Sequence, residues 1–312
     1  MNNVDSPLDH HVQIYPTTFG DLVSEDGNLD YEKLKQLVIS LGADDAGFVD
    51  VDATSMVYQK REIEKVFPGA KSFISFVVRM NREPVRSPAR SIANLEFHNQ
   101  GDHVNQVARQ LVTRLERLGI RALNPSMGFP MEMQNFPGKI WVVSHKTIAE
   151  AAGLGKMGIN RNVIHPRFGN FILLGTVATN ARISRYDKSI DYNPCIDCKL
   201  CVAACPVGAI APTGEFDFSA CYTHNYREFM GGFSDWVGTI AESGSRKGYE
   251  AKVLPSESAS MWQSLSFGPN YKAAYCMSVC PAGDDVIGQF LNSRKDFLDD
   301  VVKPLQKKLE PI

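Results

Sequence analysis

The chain has 312 residues, 44% of them hydrophobic and 22% charged, an ordinary globular composition long enough to bury one large core or two smaller ones. A formal net charge of -2 gives no basic excess for nucleic acid or a lipid surface. No run of about 18 apolar residues is present, and the first residues lack a signal peptide's basic start and apolar stretch; nucleic acid and membrane are therefore not expected as partners, and the expected location is cytoplasmic.

In chain order, Tyr31 to Leu41 reads as a helix, with Leu34, Leu37, Val38 and Leu41 on one stripe, Asp30 as N-cap and Gly42 as stop. A short strand is predicted over Ala46 to Val51, and a buried, β-branched and aromatic one over Ser72 to Val78. Val104 to Leu118 reads as a second helix, Ile140 to Val143 as another strand, and Lys146 to Ala151 as helical. Mixed helices and strands of this kind predict an α/β or α+β domain. The stretch from Pro194 to Pro281 differs in character: it holds every cysteine, and its Gly- and Ser-rich part near 231–260 predicts a long surface insertion. The tail from Phe290 to Leu309 reads as helical and polar. Three units are expected: an α/β domain over 1–185, a cysteine domain over 186–285 and a helical tail over 286–312.

The seven cysteines carry the chemistry. An odd, clustered set in a chain without a signal peptide argues against a disulfide framework. Cys195, Cys198, Cys201 and Cys205, followed by Pro206, make the C-x2-C-x2-C-x3-C-P run of bacterial ferredoxins, in which three thiolates hold one cluster and the fourth turns to another. Pro206 ends the local helix so that Cys205 can turn away. A four-cysteine zinc site usually pairs two C-x2-C knuckles across a longer gap, so the run fits zinc poorly. Cys276-x3-Cys280-Pro281 supplies the end of a second half. By the crossover rule Cys280 joins Cys195, Cys198 and Cys201 in the first cluster, a 4Fe–4S cluster, and Cys205 joins Cys221 and Cys276 in the second. The position three before Cys276 is Ala273, so the second site has three cysteines. It is either a 3Fe–4S cluster, a 4Fe–4S cluster with a non-cysteine ligand such as His224 or Asn270, or a 4Fe–4S cluster with one open iron.

Glycines at 153, 155 and 158 make a G-x-G-x-x-G spacing, but a helix-like segment precedes them and no acidic residue closes a βαβ unit, so a dinucleotide loop is disfavoured. The whole block, Ala152-Gly153-Leu154-Gly155 through Gly158, Asn160, Val163, His165, Pro166, Phe168 and Gly169 to Leu174-Gly175, stands just ahead of the cysteine run. Together with Leu41 to Val49, Phe67 to Ser72, Cys221 and Cys276-x3-Cys280-Pro281, it resembles the epoxyqueuosine reductases and their relatives, the reductive dehalogenases. The resemblance covers about residues 30 to 285.

The resemblance implies an α+β protein: an α/β-sandwich, flavin-reductase-like cobalamin-binding domain joined to a ferredoxin-like two-cluster domain. It implies base-off cobalamin lying against Gly153, Leu154, Gly155, Gly158, Asn160, Val163, His165, Phe168 and Gly169, where small residues would let the backbone approach the ring. Electrons from an external ferredoxin- or flavodoxin-type donor would run through the second cluster, then the first, to cobalt. The family's aspartate general acid falls at or near Lys139, and no acidic residue lies between Gln134 and Thr147. Lys139, His145 and His103 remain as proton-donor candidates, each also readable as a surface or packed polar residue. Two functional readings follow: a cobalamin-dependent reductase of a small or nucleoside-like substrate, and a corrinoid-processing protein for which cobalamin is substrate or cargo. A plain ferredoxin-type carrier is disfavoured by the large N-terminal domain.

Overall fold

The computed structural model describes residues 22–132, 134, 141–225, 231–268 and 274–306. The N-terminal half runs α1 (Tyr31–Ser40), β1 (Asp45–Asp50), α2 (Val57–Val66), β2 (Ser72–Arg79), α3 (Arg82–Arg86), α4 (Arg90–Arg117), β3 (Ala122–Leu123), α5 (His145–Ala151), β4 (Lys156–Met157), β5 (Val163–Ile164) and β6 (Ile172–Thr179). Four strands form one antiparallel sheet in the order β1-β2-β6-β3, and β4 and β5 pair separately.

Alternation along the strands sends side chains to both faces. Phe48, Ile74, Phe76 and Val177 meet Leu34 and Val38 of α1 and Val107, Leu111 and Leu115 of α4. Val49, Phe73, Val77 and Ala178 meet Ile63 of α2 and Ile148 and Ala149 of α5. The sheet is thus buried on both sides by helices, which explains why β2 is almost continuously apolar. Asp30 caps α1 as its sequence position suggests, accepting from the Lys33 amide at 2.9 Å. The helix expected over Val104 to Leu118 begins fourteen residues earlier, at Arg90, and runs through Gly101, where a Cβ would press on Met127. Trp141 to Val143 is a bend rather than the expected strand. The central strand β6 has no counterpart among the sequence expectations: Gly175 interrupts its pattern, and the Phe76 ring of β2 fills the space left by the missing Cβ.

The second half runs α6 (Leu200–Ala204), α7 (Phe218–Asn225), α8 (Gly231–Glu242), α9 (Arg246–Glu250), α10 (Pro255–Phe267), α11 (Tyr275–Ser278), α12 (Gly288–Asn292), α13 (Arg294–Phe297) and α14 (Lys303–Gln306), with a π-helical turn over Leu298–Val302. The Gly- and Ser-rich segment is helical: α8, α9 and α10 occupy it. The expected polar tail instead packs inward, with Phe290, Phe297, Val301, Val302 and Leu305 against Ala204 and Val279. Hydrogen bonds from the Arg86 side chain to the Ser278 carbonyl (3.3 Å) and from Ser278 Oγ to the Val85 carbonyl (2.7 Å) fasten α3 to α11.

Lys35 and His165 meet Asp45, at 2.8 Å and 3.3 Å, and tie α1 to the loop after β5. Burial raises the Asp45 carboxyl, but the hydrogen bonds from His165 and Lys35 outweigh it and hold the group at about 2. A depressed carboxylate stabilises the fold above its ordinary titration range and loses that contribution as the pH falls through its native value. Asp45→Asn is therefore expected to lower stability at pH 7 by about 1–2 kcal/mol, a figure reduced for partial exposure. The difference from the parent protein, followed by urea unfolding, should hold above about pH 5 and shrink between about pH 4 and pH 2.

Candidate iron–sulfur and cofactor site

Backbone turns gather the thiols. Asp197 and Lys199 take left-handed conformations (φ 57° and 54°), and α6 stops at Ala204 because Pro206 forces Cys205 to an extended φ/ψ of -68°/115°. Cys195, Cys198, Cys201 and Cys280 come together around a small cavity. Burial pushes the Cys201 thiol up to about 11, with Cys198 and Cys195 adding to the shift. Burial likewise pushes Cys280 up to about 12, where the Ala282 amide opposes and Cys198, Cys201 and Cys195 reinforce it.

Cys205, Cys221 and Cys276 form a separate set. Burial pushes Cys276 up to about 12, and nearby Cys221 raises it further while Lys146 lowers it. Burial also raises Cys221, with Cys205 adding. Thiols held this way are poor anions on their own, and a cationic metal core is what makes them favourable as thiolates. No three His, Cys, Asp or Glu side chains among the described residues converge on one point as for a single metal ion. The thiols surround spaces instead, which suits a polynuclear cluster better than zinc.

A cavity of about 750 Å³ separates the sheet domain from the second half, within the range of cofactor pockets. Its walls come from the start of β6 (Ile172, Leu173, Leu174), the N-terminal end of α5 (Ser144, His145, Lys146), the loop 157–163, and Cys205, Cys221 and Cys276. Aromatic residues contribute to its apolar lining, Trp141, Phe97, Phe129 and Tyr222 among them. The second cysteine set, not the first, therefore borders the large cavity. The first set lines the small cavity instead.

The glycine block does different work from that expected. Of its candidate residues only Asn160 and Val163 line the large cavity. Gly153 has φ 72° and a Cβ there would come within 2.8 Å of the Lys188 carbonyl; one at Gly155 would meet the Ile164 carbonyl. Gly158 is filled around by Ile164, and Leu154 is core. His165 Nδ1 accepts from the amides of Arg167 and Phe168, and its ring stacks on Phe168 at 4.7 Å. Gly169 lies against the backbone of Ala282 and Gly283. At Gly153, Gly155 and Gly169 the missing side chain admits protein backbone at close range. The block also reaches the thiols: the Ile159 amide donates to Cys195 Sγ (3.5 Å) and Asn162 Nδ2 to Cys276 Sγ (3.9 Å). Such N–H···S bonds tune a cluster's potential.

The three proton-donor candidates separate. His103 is remote from the cavity, its Nε2 donating to the Gly42 carbonyl at 3.0 Å; the left-handed Gly42 leaves room for the ring. Lys139 lies outside the described residues. His145 lines the cavity, but Nε2 donates to the Ser126 carbonyl (2.9 Å) and Nδ1 accepts from the Thr176 hydroxyl (2.8 Å). Burial pushes its pKa down against the opposing Ser126 bond, favouring this neutral tautomer.

The sequence offers Lys146, beside Lys139, as a basic residue of the kind dehalogenases pair with a Tyr, but places no partner Tyr; it gives no role to Asn170. Lys146 is an exposed residue on the cavity wall, and its Nζ donates to the Arg161 carbonyl (2.6 Å) and to Asn162 Oδ1 (3.2 Å). Burial pushes its pKa down, while Cys276 and Cys221 oppose the shift. Asn170 also lines the cavity, is fully buried, and has neither carboxamide atom hydrogen-bonded. The only sequence signal for it is a polar residue between Gly169 and Phe171, at the entry of an apolar strand.

Fold and thiols together define an iron–sulfur protein built on an α+β domain. Residues 188–211 match the 4Fe-4S binding domain family. The chain is a sequence relative of the epoxyqueuosine reductases: it is 29% identical over 224 residues to that of Bacillus cereus (strain ATCC 14579), covering 62% of this chain and 56% of the relative. It spans about half the length of the curated relatives it matches. Among solved structures, it is similar to an epoxyqueuosine reductase with a tRNA-Tyr epoxyqueuosine-modified stem loop, at TM-score 0.46 and 19% identity over 63% of this chain and 56% of that one. It is also similar to a reductive dehalogenase described as B12-dependent, at TM-score 0.49 and 16% identity over 78% of this chain and 37% of that one. No helix among the described residues is long and apolar enough to cross a membrane.

Proposed function

We propose that the chain is an iron–sulfur oxidoreductase of the cobalamin-dependent kind, fed by an external ferredoxin- or flavodoxin-type donor, with two clusters and without the aspartate general acid of epoxyqueuosine reductases. Cys195, Cys198, Cys201 and Cys280 would hold a 4Fe–4S cluster; Cys205, Cys221 and Cys276 would hold a second, of the 3Fe–4S type or with a non-cysteine corner. The observation that carries this reading is the large cavity whose wall includes three thiols and a buried, unpartnered carboxamide. An apolar pocket fringed by Asn160, Asn162 and Asn170 suits a flat macrocycle with an amide rim, since an unpaired buried amide needs both a donor and an acceptor. When bound, cobalamin would supply a reducible cobalt centre for an organic substrate. The substrate class is a small or nucleoside-like molecule, tRNA-borne nucleosides included.

Around that centre the chain's own residues have distinct tasks. The aromatic walls exclude water, and Asn170 would orient the amide rim. Lys146 would hold positive charge beside the second set of thiols, anchored by Arg161 and Asn162. Anaerobic reconstitution should yield about seven or eight irons and stoichiometric base-off cobalamin by absorption. Asn170→Leu should weaken cobalamin retention about tenfold, the worth of one buried hydrogen-bonded pair, with iron content unchanged. Full iron with no cobalamin retention would overturn the reading.

A second reading, in which cobalamin is substrate or cargo, is favoured by one observation: both ring nitrogens of the cavity residue His145 are already hydrogen-bonded. Turnover of an epoxyqueuosine-type substrate supports the first reading. Reduction of added cobalamin with no organic turnover supports the second.

A further inference from the structure

We infer that the second cluster presents an iron without a protein ligand to the large cavity, and that this iron takes an exchangeable small anionic donor. The inference rests on the two-cluster reading above. Seven cysteines divide into four and three, and the set of three is the one bordering the cavity. A cube held at three corners by thiolates in a wall points its fourth corner away from that wall, here into open space. Among the described residues that line this space there is no Asp or Glu. Of the nitrogen donors there, His145 is committed by both nitrogens and Lys146 through the Arg161 carbonyl and Asn162, which leaves the buried, unpartnered Asn170 carboxamide and Asn225 Oδ1 as the weak neutral oxygens an anion would displace. His224 lies one helical turn beyond Cys221 on α7 and is the competing ligand among the described residues, but it is engaged in an interaction of its own; Asn270, the other candidate, lies outside the described residues. Lys146 and Arg161, both on the cavity, give the corner a positive surround that suits a carboxylate, hydroxide or cyanide. The cavity would then bring an anionic group of its guest directly to iron, a second anchoring point apart from Asn170.

The test uses reconstituted holoprotein and 13C-labelled cyanide as probe, read by EPR and electron–nuclear resonance in the reduced state. The expected result is 13C coupling to one cluster only, lost in Cys276→Ala and retained in His224→Ala. Ferricyanide should take one electron from that cluster and release one Fe2+, leaving a 3Fe–4S centre that added Fe2+ and a reductant restore. Absence of 13C coupling with both clusters keeping four irons would overturn the inference, as would coupling seen only in His224→Ala, which assigns the corner to histidine. An iron content of about four, one cluster's worth, would instead defeat the two-cluster reading beneath it.

Discussion

Alanine at Cys276 is expected to empty one cluster site and alanine at Cys280 the other, each costing about half the iron, although the two residues lie four positions apart. Cys276 is on the short helix α11, with Cys221, Cys201, Lys146 and Cys205 as its charged neighbours, and shares the large cavity with Cys221 and Cys205. Cys280 follows the helix end, and its neighbours are Cys198, Cys201 and Cys195. One turn of helix thus serves both sets, which is the crossover that the C-P endings of ferredoxin runs produce. The two variants should differ in stability as well. Cys280 is buried with Ile164 and Ala282 at the junction of the two halves, so losing its cluster removes metal-coupled folding energy from a core position. Cys276 opens onto the cavity, where the loss is felt less by the packing. Iron analysis, EPR of each variant and thermal unfolding would separate the two. Identical spectra for the two variants would show that both thiols serve one cluster.

The cysteine spacing was legible because it is a local constraint: two- and three-residue gaps decide which thiols can share a cube, and the turns at Asp197, Lys199 and Cys205 follow from the run itself. The helices and strands with clean periodicity, α1, β1 and β2, were equally readable. What the glycine block packs against was not legible, because a missing Cβ is ambiguous in sequence: it marks close approach but not what approaches. At Gly153, Gly155 and Gly169 the answer is carbonyl groups of Lys188, Ile164 and Ala282, set by contacts across long stretches of chain. β6 was hidden for a related reason, since Gly175 looks like a break until Phe76 is placed across it. Asn170 acquires meaning only from the cavity, which no periodicity encodes. His103 drew attention as a titratable group in a polar stretch, whereas its place is set by the gap that Gly42 leaves.

Gly169→Ala should be the most damaging single methyl in the described chain, lowering stability by about 3–4 kcal/mol and Tm by about 6–10 °C. Gly169 has φ 65°, and its added methyl would run into the Ala282 carbonyl; Gly283 (φ 105°), opposite, would carry a methyl into Gly169 itself. Two backbones cross there without side chains, so neither can yield except by separating. Gly27→Ala provides the comparison. Gly27 has φ 79° but nothing within 4 Å of its Cβ position, so it should show the conformational cost alone, about 1 kcal/mol. The excess at Gly169 measures the crossing. Its chemical consequence follows from position, because Ala282 lies two residues beyond Cys280. Prising the strands apart should displace Cys280 from Cys195, Cys198 and Cys201 and deplete the first cluster, while Cys205, Cys221 and Cys276, gathered on the other side, keep theirs. Iron loss confined to the first cluster would tie the glycine block to cluster assembly. Equal loss from both would mean that the crossing supports the second half as a whole.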